Sequence, residues 1–472
     1  MTDISTFKAK ITIAGAGPVG AMLAIILSRA GYQVEVFESR PDSRLHSSHQ
    51  GKSINITLSS RAWLALEYIG IANDIKKYAT AIYQRVIHQG KSTLCEKKYQ
   101  DTAQGLYSIS REKLNNLLLE QAQNEENITL HFEQRLTHID FLSGCCSFSY
   151  LSSGKRNHKE IDADLVFAAD GAFSKVRRLA QETPRFSYSQ HYMKQCYIEL
   201  TIAANSDGSA KLTPNAYHIW PRNGFLLVAL PNEDASFTCT LYLNHQGSPS
   251  FSSLNTPTRI TEFFEQNFAE VVPFIENPIT EFMNKAASPL FLVSVDPWVI
   301  NNKVSLIGDA AHAMVPFFGQ GLNCSFEDCY QLAQLIKHHQ DDWQKILPEY
   351  YQKRKNNADA ISKLSKSHFI ELSALSTSEA GEALSKTIAR NFASKYPMLW
   401  PDLDSLILFH PEISYAKARK ISLLQQEIIK EIMAIKDIKQ CWQQTFVFQR
   451  MEVRARGEIA PLLTTLYNNG QK

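Results

Sequence analysis

Cysteine is sparse in this chain of 472 residues: eight thiols (Cys95, Cys145, Cys146, Cys196, Cys239, Cys324, Cys329, Cys441) with no Cys-x-x-Cys cluster. That argues against a disulfide framework or a structural zinc site, so no metal is expected. Neither sign of charge dominates. The 49 Lys+Arg and 47 Asp+Glu leave a formal +2, which is ordinary globular composition and lacks the strongly basic domain that wholesale nucleic-acid binding requires. One uncharged run, the 18 residues Ile11–Ser28, is just long enough to suggest a membrane span or signal peptide. Gly15, Gly17, Pro18 and Gly20 interrupt it near its start, and its content passes from β-branched to helix-forming residues. A strand, a turn and a helix fit it better. The expectation is a cytoplasmic protein without an integral membrane span. At ~150 residues per domain the length suggests two to three domains.

Lys10–Ala14 reads as a buried strand, Gly15-Ala16-Gly17-Pro18-Val19-Gly20 as a turn, and residues 21–30 as a helix closed by Gly31. A second strand, residues 34–38, ends on Glu38, 23 positions after the first glycine. A Gly-x-Gly-x-x-Gly between strand and helix with a following acidic residue is a dinucleotide fingerprint. Its glycines let backbone approach a pyrophosphate, the helix start offers free N–H groups, and Glu38 would accept from a ribose. A carboxylate there would repel a 2′-phosphate, so FAD and NAD remain as candidates.

Two distant segments bear on that choice. Residues 161–172 form an apolar strand ending in Asp170-Gly171, followed by the cationic helix start Lys175-Val176-Arg177-Arg178. Residues 304–312 form another, ending in Gly308-Asp309 and leading through Pro316-Phe317-Phe318-Gly319-Gln320-Gly321-Leu322-Asn323 into a helix. A carboxylate at a strand end can bond ribityl hydroxyls, and a helix start can face a flavin edge that gathers negative charge. In this order the three segments resemble the single-component FAD-dependent aromatic hydroxylases. The resemblance implies FAD as cofactor, with NADPH as a co-substrate that docks without a Rossmann domain of its own. The pair Cys324 and Cys329 is spaced i, i+5 and reads as buried structural thiols.

Longer segments resemble, more narrowly, the kynurenine 3-monooxygenase family: Gly51–Asn55, Ser108–Asn115, Pro184–Gln190, His218–Asn223, and Leu230–Asn232 through Ser236–Leu241. The match runs over about residues 9–375 and fades in the last hundred. Besides Gly15, Gly17, Gly20, Asp170 and Gly321, it implies Val19, Glu38, Arg40, Thr57, Arg111, Leu136, Asp309, Leu322 and Asn323 as FAD contacts. Thr57 stands where the family often has Ala. Arg85 and Tyr99 match substrate-carboxylate positions, and a guanidinium suits bidentate carboxylate binding. Two further substrate positions depart: His368, ahead of Phe369-Ile370-Glu371, replaces Asn, and Asp404 replaces Tyr. Asp404 would repel a substrate carboxylate, whereas His368 could partly replace the amide; Glu371 completes the expected substrate set.

The expected fold is α/β: a discontinuous Rossmann-like FAD-binding domain (residues 1–75, 100–180 and 290–335), an interleaved antiparallel-sheet substrate domain (76–99 and 181–289) and a helical C-terminal region (336–472). In that region residues 415–438 place Ile421, Leu424, Ile428, Ile432 and Ile435 at helical spacing, the pattern of a helix docked on the protein. The resemblance implies NADPH- and O2-dependent hydroxylation of kynurenine at ring position 3 through a flavin C4a-hydroperoxide. The substrate's own amine supplies the activation, so no obligate acid or base is expected, and His312 reads as a structural helix-start histidine. The loop residues Pro316, Phe317 and Gln320 are expected beside the flavin. A related hydroxylase of another small aromatic amine or amino acid is the near alternative, and a non-catalytic dinucleotide-fold binding protein the distant one.

Overall fold

The computed structural model describes residues 7–45, 55–89, 92–99, 105–374, 380–464 and 466; Gly51–Ile54 of the resemblance lie outside them. A six-stranded sheet forms the first layer, in the order Val299–Ile300, Val304–Leu306, Leu165–Ala168, Lys10–Ala14, Gln33–Phe37 and Ile128–His131. All its pairings are parallel except the edge pair of the first two strands. Parallel strands need crossovers and are covered on both faces, hence the near-continuous apolar runs. The helix Pro18–Arg29 makes the first crossover and is buried over ten of its twelve residues, which explains the uncharged run.

A seven-stranded sheet stands beside it, ordered Ser288–Asp296, Ser187–Ile202, Phe237–Asn244, Phe225–Pro231, Ala216–Arg222, Gln84–Gln89 and Ser92–Lys98. It is antiparallel throughout except where Ala216–Arg222 pairs parallel with Gln84–Gln89. Ser288–Asp296 runs across the boundary drawn at residue 289. Its outer face packs the amphipathic helix Pro257–Phe268 through Ile260, Phe263, Phe264 and Phe268.

Beyond residue 340 the described chain is helical, with Trp343–Ala374, Ala380–Lys395, Leu403–Leu408 and Tyr415–Met433 as the main elements. The last ends at Met433, short of the expected 438; Asp437 then adopts φ +57° and begins a separate short helix. Its apolar stripe, Ile421, Ile428 and Ile432, is buried in the main core, as docking requires. Among the described residues no helix is long and apolar enough to cross a membrane.

Candidate active site

The glycines of the first turn have different duties. Gly15 sits at φ +104°, and a Cβ there would lie 2.4 Å from the Ala169 carbonyl oxygen; a Cβ on Gly20 would lie 1.9 Å from that of Gly15. Both positions are glycine because backbone approaches backbone. A Cβ on Gly17 would meet nothing within 4 Å. Gly17 caps the helix Pro18–Arg29 without any side-chain hydrogen bond, so the first N–H groups of that helix point into open space, the arrangement that receives a phosphate.

Glu38 closes one side. Its Oε2 accepts from Ala16 N–H at 3.0 Å, and its Oε1 accepts from Arg40 Nε at 2.9 Å. Burial alone would raise its pKa, but Arg40 and the backbone N–H groups outweigh burial and hold it below the ordinary value. It is an anion ready to accept from hydroxyls. Opposite, Asp170 Oδ2 caps the helix Lys175–Ala180 by accepting from Lys175 and Val176 N–H at 2.7 and 3.1 Å. Its Oδ1 is buried without a partner on the cavity wall, and burial pushes its pKa up despite the N–H groups.

The helix Gly321–His339 provides a second start without a side-chain cap. Its preceding loop is held by Asn323, whose Nδ2 donates to the carbonyls of Thr57 and Gly319, both at 2.7 Å, and whose Oδ1 accepts from Ser59 N–H at 2.7 Å. Two uncapped helix starts, an unpartnered carboxylate oxygen and an anionic Glu38 on one cavity fit a long dinucleotide such as FAD. Gly15, Gly17, Val19, Glu38, Arg40, Thr57, Arg111, Leu136, Asp170, Asp309, Gly321 and Leu322 all line it.

The same cavity, about 820 Å³, continues over the seven-stranded sheet. Tyr197, Glu199, Val228, Leu230, Thr240, Tyr242 and Tyr217 form its floor, and Pro316, Phe317, Phe318 and His368 border it. Phe317 packs on Tyr242 (centroids 5.0 Å) and Phe369 (4.5 Å), and Phe318 on His368 (4.2 Å). At the far end stand Arg85, Tyr99 and Asp404. Arg85 faces Tyr217 across the parallel pair, and Tyr99 packs edge-on to Phe409 at 5.5 Å. Asp404 sits in the first turn of the helix Leu403–Leu408, which Asp402 caps.

Asp404 lies 3.1 Å from Arg85 Nη1. The repulsion expected of it is therefore offset, because its charge is spent on the guanidinium. Burial would lower the pKa of Arg85, but Asp404 and its acidic surroundings raise it on balance. Burial lifts the phenol of Tyr99 and pushes that of Tyr217 up to about 12, with Arg85 opposing in both. Both phenols are neutral donors at neutral pH.

Four expected residues do not line the cavity. Gln320 is fully buried: its Nε2 donates to Phe318 O at 3.3 Å, and its Oε1 accepts from Tyr415 O–H at 2.8 Å. Asn323 clamps the loop as described, and Gly20 serves packing. Glu371 faces outward, its side chain 61% exposed and 3.7 Å from His368; three residues fall short of a full helical turn and point it about 60° away from His368 around the helix. His312 is buried, with Nε2 2.6 Å from Asp328, and does not line the cavity. Cys324 and Asp328 beside it could complete a ligand trio, but Arg354 Nε already donates to Asp328 at 2.6 Å and supplies the positive charge.

Glu199 escaped the sequence reading. It sits on Ser187–Ile202 opposite Thr240, its Oε1 buried without a partner, and burial pushes its pKa up to about 7 against the pull of Lys285. Its signal was an acidic residue on an otherwise apolar alternation, Ile198-Glu199-Leu200.

A family model described as an FAD binding domain matches residues 8–365. The kynurenine 3-monooxygenase of Christiangramia forsetii is 38% identical over 441 residues, covering 93% of this chain and 97% of that protein. An alignment of that length runs well past residue 375, so the similarity extends into the C-terminal region where the sequence motifs fade. The kynurenine 3-monooxygenase of Myxococcus xanthus is 35% identical over 90% of this chain and 91% of its own. Among solved structures, the tetrameric form of 2-methyl-3-hydroxypyridine-5-carboxylic acid oxygenase matches with TM-score 0.63 at 18% identity, covering 80% of this chain and 95% of that one; it shares the fold. The chain belongs to the kynurenine 3-monooxygenase family of FAD-dependent aromatic hydroxylases.

Proposed function

We propose that the chain hydroxylates kynurenine at ring carbon 3, ortho to the aromatic amine, using FAD, NADPH and O2. FAD, when bound, supplies the redox and oxygen-activating chemistry. The observation that carries the reading is the single cavity joining the phosphate turn at Gly17 to the cationic end at Arg85.

The chain's own residues bind, orient and dry. Arg85 holds the substrate carboxylate through charge-assisted hydrogen bonds, with Tyr99 O–H as a neutral donor beside it. Phe317 and Tyr242 confine the aryl ring, and the Pro316–Phe318 turn excludes water, which strengthens every polar contact inside. No side chain need abstract a proton to activate the ring, since the substrate amine already enriches the ortho carbon. His312, sealed against Asp328, is no such base. Seven cysteines with described side chains are free thiols, which supports a cytoplasmic setting.

The test is a substrate panel with product mass. Kynurenine should accelerate NADPH oxidation by the yellow holoenzyme and give a product heavier by one oxygen. If it gives neither, the reading is wrong.

A further inference from the structure

The floor of the cavity carries one carboxyl that the chemistry described so far leaves unused. Glu199 lines the cavity from Ser187–Ile202, opposite Thr240, and its Oε1 is buried without a hydrogen-bond partner. It stands where the floor ends. Ser288–Asp296 flanks that strand only as far as the pair of Tyr197 with Ser288. Two residues on, Lys285 takes the place of a neighbouring strand: its Nζ donates to the backbone carbonyl of Glu199 at 2.7 Å and to Glu281 at 3.1 Å, and its side chain is 34% exposed. Glu199 therefore has the cavity on one side and a solvent-facing ammonium on the other. The remaining groups around it are the hydroxyl of Thr240 and the phenols of Tyr197 and Tyr242, both kept protonated by burial, with the charge of Arg111 also acting on Tyr197.

We propose that Glu199 is the relay through which the cavity takes up protons from solvent. This rests on the function proposed above, and it meets a need separate from activation of the ring. Hydroxylation of an aryl C–H takes a hydride from NADPH and both atoms of O2, one into the ring and one into water. Counting hydrogens, one proton has to enter from solvent in each turnover. The walls that exclude water from the reaction exclude that proton as well. The Glu199 acid gives up its O–H proton to the cavity, where it completes the water that forms, and the carboxylate left behind regains a proton from solvent at the edge that Lys285 holds. Such a group must both hold and release a proton near the working pH. Burial raises the pKa of Glu199 and the charge of Lys285 pulls it back, to about 7, so both forms are populated. A fixed partner at Oε1 would favour one form; the bare oxygen favours neither.

The test has a spectroscopic arm and a kinetic one. Infrared difference spectra of the oxidised holoenzyme, wild type minus Glu199→Gln, should show a protonated-carboxyl band that fades as pH rises through about 7. Lys285→Met removes the opposing charge and should move that midpoint upward. In turnover, Glu199→Gln should lower kcat about tenfold or more while the KM for kynurenine stays within about twofold of wild type, with FAD content unchanged. Glu199→Asp, which keeps the acid, should recover part of the loss. Wild-type kcat should fall as pH rises through the same midpoint, because the acid form is lost, and Glu199→Gln should be flat there. A glutamate with a merely structural role would move neither the band nor the profile. A Glu199→Gln enzyme with wild-type kcat and pH profile overturns the proposal, as does an unmoved midpoint in Lys285→Met. The infrared arm needs no substrate, so it separates the two readings. A band that titrates as expected in an enzyme that does not hydroxylate kynurenine removes the proposed function and keeps Glu199 as the cavity's exchanging group; a missing band removes the relay whatever the activity.

Discussion

At the scale of single residues, the site depends on charges held where water is scarce. Arg85→Ala removes the substrate's cation and leaves Asp404 facing the cavity. Losing one partner of a buried hydrogen-bonded charge pair costs about 2 kcal/mol or more, or ~30-fold or more in binding. The expected outcome is a KM for kynurenine raised by at least that factor with FAD content unchanged; loss of flavin would refute the substrate role. Glu199 makes a second prediction. Its folded pKa of about 7 lies above the ordinary 4.5, so the folded state binds the extra proton. Its contribution to stability is fully present below the lower value and lost as pH rises through about 7. Glu199→Gln, which cannot ionise, should melt progressively higher relative to wild type between pH 5 and 8. Parallel melting profiles would contradict this.

At the scale of elements, the turn ahead of the helix Pro18–Arg29 separates folding from cofactor binding. Gly17 adopts φ −70°, open to any residue, with free space above it. Gly17→Ala should leave the melting of the cofactor-free protein nearly unchanged while weakening FAD binding, measured by fluorescence titration. Gly15→Ala puts a side chain at φ +104° against a carbonyl and should lower stability itself. Equal loss of stability in the two variants would deny Gly17 a ligand-facing role. This turn was legible from the sequence because phosphate approach leaves a local signature: glycine spacing, a buried strand before, an acidic strand end after. Gln320 was misplaced for the opposite reason. Its neighbours in sequence border the cavity, and only Tyr415, 95 residues on, shows that its amide turns away. Asp404 was legible as a departure but not as a partner of Arg85, since nothing local joins positions 319 residues apart. Glu199 needed the sheet register, which alone shows on which face an acidic residue in an apolar strand falls.

At the scale of the molecule, one arginine ties the C-terminal helices to the dinucleotide layer. Arg61 is fully buried; Nη1 pairs with Glu327 at 3.0 Å, Nη2 donates to Ile413 O at 2.6 Å, and Nε donates to Ile407 O at 3.1 Å. Its guanidinium also lies 3.9 Å over the ring of Tyr415, the residue that holds Gln320. Arg61→Ala strands several carbonyls away from water and leaves Glu327 to Arg354 alone, 3.1 Å away. A buried acceptor left unsatisfied costs about 1–3 kcal/mol, and denaturant unfolding should show it. Proteolysis should then begin in the helices after residue 400. A loss below about 1 kcal/mol would mean the tie is dispensable.

The strand order of the first sheet also sets a timetable. Lys10–Ala14, the strand that carries the phosphate turn, lies between Gln33–Phe37 and Leu165–Ala168, and the latter pairs in turn with Val304–Leu306. The loop and helix that face the phosphate turn follow only after residue 312, and Asp404 stands at the far end of the cavity. Synthesis proceeds at roughly 5–20 residues per second, so ~20–80 s separate the emergence of the first glycine from that of the last wall. During the first part of that interval the strand Lys10–Ala14 has Gln33–Phe37 on one side but not yet Leu165–Ala168 on the other. The cavity has all its walls only once most of the chain is made, and the stretch that waits longest for them is the same uncharged run that by length alone resembles a membrane segment.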